Sequence, residues 1–90
     1  MKKKYLNVTF YKFAHFPNYI SFQSKILNFC TERNIKGTIL LAEEGINGAA
    51  VGTKKNIYEL LNFLKTDNRF SDIAHKESYS EEIPFHRMRV

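Results

Sequence analysis

The sequence predicts an α+β fold of the ferredoxin-like type: a βαββαβ order that gives a four-stranded antiparallel sheet with two helices on one face. Three observations predict it. The chain opens on a segment of strict apolar/polar alternation, two later segments carry apolar residues at helical spacing, and short β-branched runs lie between them. With 43% hydrophobic, 14% aromatic and 26% charged residues the composition is that of a folded globular chain, and 90 residues are enough for one domain but not for two.

The first strand is expected over Tyr5 to Phe13, with Leu6, Val8 and Phe10 toward a core and Tyr5, Asn7, Thr9 and Tyr11 on the other face. Phe16-Pro17-Asn18 breaks it, and Asn18 is placed to cap a helix whose apolar residues Tyr19, Phe22, Ile26, Leu27, Phe29 and Cys30 share one arc. That helix is expected to end near Asn34. Ile35 to Ala42 reads as a second strand because it is apolar and β-branched. Glu43 to Gly48 has the Gly and Asn chemistry of a reversing connection, and Ala49 to Gly52 returns as a short third strand. Thr53 is a natural N-cap for a second helix carrying the stripe Ile57, Leu60, Leu61 and Leu64, which closes near Asp67-Asn68. Ala74 to Ser80 is the fourth strand, Pro84 interrupts, and Phe85 to Val90 alternates again as a strand-like C-terminal extension. The chain stops inside that alternation with no capping or turn signal, so a continuation beyond Val90 is expected.

No stretch approaches the roughly 18 apolar residues of a membrane span, and Met1-Lys2-Lys3-Lys4 leads into alternating residues and not into a signal-peptide core. A cytoplasmic location without membrane contact is expected. The net charge of +5 favours a polyanionic partner, although the fourteen Lys and Arg residues are scattered.

Few residues invite chemistry. Cys30, the single cysteine, falls on the apolar arc of the first helix, where a thiol is an inert core residue. His15, His75 and His86 lack the short paired spacings of zinc ligands, so neither a metal nor a cofactor is expected. Glu43 and Glu44 could act in acid/base chemistry beside glycines, but a solvated turn accounts for them, while Gly45 and Gly48 would let a partner approach the backbone.

The uncovered sheet face offers more. Tyr5, Thr9, Tyr11, Lys36 and Thr38 would mix aromatic and basic groups there, the composition of an RNA platform and equally of a docking face for a neighbouring domain. Lys36 to Leu41 is aliphatic where stacking aromatics would be sought. The same fold hosts acylphosphatases, whose phosphate loop after the first strand needs glycines and an arginine. Here that loop reads Ala14-His15-Phe16-Pro17-Asn18 and has neither.

Phe10-Tyr11-Lys12-Phe13, Lys36-Gly37-Thr38-Ile39-Leu40-Leu41-Ala42, Glu44-Gly45-Ile46-Asn47-Gly48, His75-Lys76-Glu77-Ser78 and Pro84-Phe85-His86-Arg87-Met88-Arg89-Val90 together resemble the N-terminal domain of the rhodanese-related tRNA uridine hydroxylases. The resemblance runs in order over nearly the whole chain. It implies an acylphosphatase-like domain, residues 1–90, that precedes a rhodanese module bearing the reactive cysteine of an oxygen-dependent tRNA hydroxylase. Cys30 lies outside the matching motifs, so no catalytic residue and no cofactor is assigned to this chain.

Two roles follow as expectations, beside a plain scaffold for folding or dimerisation. In one the domain holds tRNA through Tyr11, Lys12, Lys36, Arg87 and Arg89. In the other the loop residues Glu44, Gly45, Asn47 and Gly48, with the Phe85 to Val90 segment, pack on the rhodanese module and complete its site.

Overall fold

The computed structural model describes residues 5–82 and 87–90. Its elements run β1 (Tyr5–Phe13), α1 (Tyr19–Glu32), β2 (Lys36–Ala42), β3 (Gly45–Gly52), α2 (Lys54–Lys65), a 3-10 turn (Asn68–Phe70), β4 (Ala74–Ser80) and β5 (Met88–Arg89). β1 and β4 span the expected residues, and each helix ends within two or three residues of the expected place.

The sheet departs from expectation in two respects: β3 begins at Gly45 and not at Ala49, and a further strand joins the edge. It has five strands in the order β4-β1-β3-β2-β5 and is mixed, not four-stranded and antiparallel. β1, β3, β2 and β4 pair antiparallel, whereas β5 lies parallel to β2, with Gly37 opposite Met88 and Thr38 opposite Arg89. The reason is geometric. β4 runs opposite to β2, so a chain that reverses once after β4 and reaches the far edge runs in the same direction as β2. There it meets a row of backbone groups with no other strand to pair with, and the Gly37 amide donates to the Arg87 carbonyl at 3.1 Å. Gln23 on α1 donates to the Val90 carbonyl at 2.8 Å, and Met88 and Val90 pack against the core. The C-terminal extension is therefore part of the sheet. Pro84, Phe85 and His86 lie outside the described residues, as do Met1 to Lys4.

The core lies between the sheet and the two helices. Leu6, Val8 and Phe10 of β1, Ile39 of β2, Ile46 and Ala50 of β3, Ile26 and Cys30 of α1, and Ile57, Leu60, Leu61 and Leu64 of α2 are all buried. Each large apolar side chain buried in this way contributes about 1.5–3 kcal/mol. Phe63 of α2 ties the helices together by stacking on Phe29 at 4.4 Å and on Phe22 at 5.8 Å. Phe16 seals the end of the core, edge-on to Phe70 at 5.1 Å and to Phe22 at 5.5 Å. Leu27, expected on the apolar arc of α1, is exposed instead.

The caps divide. Thr53 caps α2 by accepting from the Asn56 amide, as its position predicts. Asn18 precedes α1 without capping it through its side chain, because its Oδ1 accepts from Arg69 Nη1 at 2.9 Å. Among the described residues, no helix is long and apolar enough to cross a membrane.

Candidate functional site

With both helices on one side, the other face of the sheet is open over most of its length, and the register determines what stands on it. One row across the strands reads Arg89, Thr38, Ala49, Thr9 and Lys76, on β5, β2, β3, β1 and β4. Two residues along the strands, the next row reads Leu40, Asn47, Tyr11 and Ala74, and beyond it come Ala42, Gly45 and Phe13. On the other side of the first row stand Lys36, Val51, Asn7 and Ser78, and here the face is not open, because Val51 is fully buried and Lys36 only half-exposed. Among the described residues, no Asp or Glu occupies a strand position of this face.

The face is graded. One end carries Tyr11, Phe13 and Leu40, exposed to 62%, 79% and 59%. The Tyr11 and Phe13 rings meet edge to face at 6.0 Å. Two shallow depressions flank Tyr11, one of about 380 Å³ toward Leu40, Ala42 and Gly45, the other of about 730 Å³ toward Thr9, Ala49, Ala74 and Lys76. They exist because the cross-strand neighbours of the aromatics are Gly, Ala or Asn, which leave the rings standing above the floor. The rest of the face carries Lys36, Lys76 and Arg89, with Arg87 exposed just before β5.

The five basic and aromatic residues singled out from the sequence are thus not one group. Tyr11, Lys36 and Arg89 share the open face, but Lys12 points to the helix side, where its Nζ lies 3.1 Å from Asp72. Lys12 pulls the Asp72 carboxyl below the usual carboxylate range, through the hydrogen bond first and its charge second. The four residues grouped as a loop also separate. Only Glu43 and Glu44 form the turn, closed by the facing pair Ala42 and Gly45, while Gly45, Asn47 and Gly48 already belong to β3. Asn47 stands on the open face opposite Tyr11, and Gly48 turns toward the helices. Phe13, Leu40 and Lys76 escape a reading of the sequence. Phe13 and Leu40 continue the alternation of Tyr11 and Thr38, a signal already present, but Lys76 joins the face only through the β1–β4 register.

Elsewhere several titratable groups are engaged with one another. His75 Nε2 and Glu77 Oε2 lie 2.7 Å apart on the helix side, and the Tyr58 hydroxyl donates to the same carboxylate at 3.1 Å. The His75 hydrogen bond lowers the Glu77 carboxyl, and Glu77 in turn raises the Tyr58 phenol. Burial pushes the Cys30 thiol up to about 12, against a smaller opposing pull from the Arg33 charge. Among the described residues, no three His, Cys, Asp or Glu side chains stand together in a way that could hold a metal ion. In the loop after β1, the amides of Ala14 and Phe16 donate to the carbonyls of Glu44 and Glu43 at 2.8 Å each, so neither points at open space where an anion could be cradled.

Comparison with known proteins agrees with this architecture. The profile of the UPF0176 acylphosphatase like domain matches residues 5–90. A tRNA uridine(34) hydroxylase of Acaryochloris marina is 48% identical over 87 residues, covering 97% of this chain and 28% of the relative. A protein of the same name from Ehrlichia canis is 45% identical over 86 residues, covering 96% of this chain and 31% of the relative. The chain therefore spans less than a third of the length of these two relatives. Among solved structures, BlrP1 BLUF superposes with a TM-score of 0.79 at 17% identity, covering 99% of this chain and 65% of its own. An acylphosphatase from Bacillus subtilis superposes with a TM-score of 0.71 at 16% identity, covering 96% and 97%. At such identities these two show a shared fold and nothing about chemistry.

Proposed function

The chain belongs to the family of the UPF0176 acylphosphatase like domain, and on that premise we propose that it is the N-terminal, non-catalytic module of a tRNA uridine(34) hydroxylase, with the task of holding the tRNA. The observation that carries this reading is the open face: an exposed sheet surface bearing Lys36, Lys76 and Arg89, with Arg87 at its edge and no carboxylate on its described strand positions. A polyphosphate lying across the sheet meets cations at both margins. Lys76 on β4 and Arg89 on β5 are four strand spacings apart, about 19 Å at roughly 4.8 Å per strand.

In this reading the reaction belongs to the remainder of the protein, a rhodanese module after this domain, and the chain supplies affinity and orientation. That division fits the residues present. The single thiol is buried on the helix side, with an ionisation far above physiological pH, and the thiolate, not the thiol, is the reactive form. The cations act on the phosphates by displacing counterions, a contribution that weakens with salt and does not depend on base sequence.

The test is tRNA binding at stepped salt concentrations, comparing the chain with the combined Lys36→Ala, Lys76→Ala and Arg89→Ala variant. Removing three phosphate contacts is expected to lower the affinity and to flatten the log-log salt slope by about 2 to 3, at roughly 0.7 to 0.9 per contact. An unchanged slope and affinity in a folded variant would overturn the assignment.

A further inference from the structure

Resting on the reading of this face as an RNA surface, we propose that Tyr11 and Phe13 are base-stacking residues, so that the face takes an unpaired stretch of RNA and not a duplex. The two aromatics are consecutive open-face positions of β1, an interior strand with β3 on one side and β4 on the other. They are exposed to 62% and 79% although each is large and apolar. Leaving such surface in water is unfavourable, and a flat π-face next to cations is what an unstacked nucleobase covers.

The surroundings fit a base. The floor beside the rings is built from Ala42, Gly45, Ala49 and Ala74, which leaves the depressions on either side of Tyr11 open to a planar group. Asn47, directly across the strand pair from Tyr11, brings an amide with both donors and an acceptor, able to meet the polar edge of a base stacked on the ring. Lys76, on the strand beside Tyr11, lies two residues along, about 7 Å at roughly 3.3 Å per residue, whereas Arg89 is three strands away, about 14 Å at roughly 4.8 Å per strand. Lys76 at that offset reaches the phosphate of a nucleotide whose base covers the ring, and Arg89 serves a phosphate further along the strand of RNA. A duplex keeps its bases stacked inward and offers these rings only its backbone.

The experiment titrates the chain into fluorescein-labelled octauridylate and into a blunt RNA duplex of equal length, following anisotropy, with the Tyr11→Leu/Phe13→Leu double variant and with Tyr11→Phe. The single strand is expected to bind more tightly than the duplex. The Leu double variant keeps apolar bulk but loses the π-faces, and is expected to bind octauridylate at least about fivefold more weakly with an unaltered salt slope. Tyr11→Phe keeps the affinity, and uracil ring protons shift upfield with the parent chain but not with the Leu variant. Equal binding by the Leu variant, or equal binding of duplex and single strand, overturns the stacking assignment. If the charge variant of the preceding section still weakens binding in that case, stacking alone falls. If neither set of substitutions changes binding, or octauridylate fails to bind at all, the RNA reading of the face falls with it.

Discussion

Tyr11 and Lys12 are neighbours in sequence and stand on opposite faces of the sheet: the tyrosine is on the open side, and the lysine is on the helix side with its Nζ 3.1 Å from Asp72. The cause is the two-residue period of a strand. A basic residue next to an exposed aromatic is therefore no part of the same surface, while Lys76, sixty-five residues from Tyr11, is.

The consequence for binding is direct. Lys12→Ala is expected to leave tRNA affinity and its salt slope unchanged, and Lys76→Ala to weaken binding and flatten the slope by a little under 1. The comparison is made by filter binding over a salt series. Equal losses from the two variants would refute the facial assignment.

Gly45 has a φ of +142°, and a Cβ built on it would clash with the Lys12 carbonyl oxygen. Gly45→Ala is expected to cost at least about 1–3 kcal/mol from the backbone conformation alone, seen as a lower urea midpoint. Gly52→Ala is the control, since its added methyl meets nothing nearer than Ile35 Cγ1 at 3.4 Å. A Gly45→Ala protein as stable as the Gly52→Ala protein would contradict the geometry at the β1–β3 contact.

Cys30 is fully buried, with its thiol pushed up to about 12. At pH 8 a thiol reagent such as iodoacetamide is expected to leave the native chain unlabelled and to label it in denaturant, with mass spectrometry as the readout. Native labelling at the denatured rate would show that α1 does not shield the residue.

Asp67 accepts from Arg69 Nη2 at 2.6 Å, from Nε at 2.9 Å and from the Arg69 amide at 2.9 Å. These bonds, the side-chain ones first, hold its carboxyl below the ordinary value of 3.8. A carboxyl lowered by folding adds stability above its unfolded value and loses it as the pH falls through the folded value. Stability is thus expected to decline below about pH 4, and Asp67→Asn to be less stable near neutrality with a shallower acid decline. Asp72 and Glu77, lowered in the same sense, keep that decline from vanishing. Urea midpoints at stepped pH decide it, and an equally steep decline in Asp67→Asn counts against the Arg69 contact.

What the sequence determined by itself is what local periodicity encodes. The alternation of Tyr5 to Phe13 places Leu6, Val8 and Phe10 in the core, the Ile57, Leu60, Leu61 and Leu64 stripe turns α2 inward, and Thr53 starts that helix because its hydroxyl meets an amide three residues away. Each of these depends on neighbours within one or two turns. Tertiary structure decided the rest because it depends on partners far along the chain. Asn18 gave up its capping position to Arg69, fifty-one residues on. Met88 and Arg89 became a fifth strand only because β2 presented a free edge running the same way. The open face gained Lys76 through pairing with Thr9. Periodicity marks which side of its own strand a residue takes, and only the register across strands says what that residue stands beside.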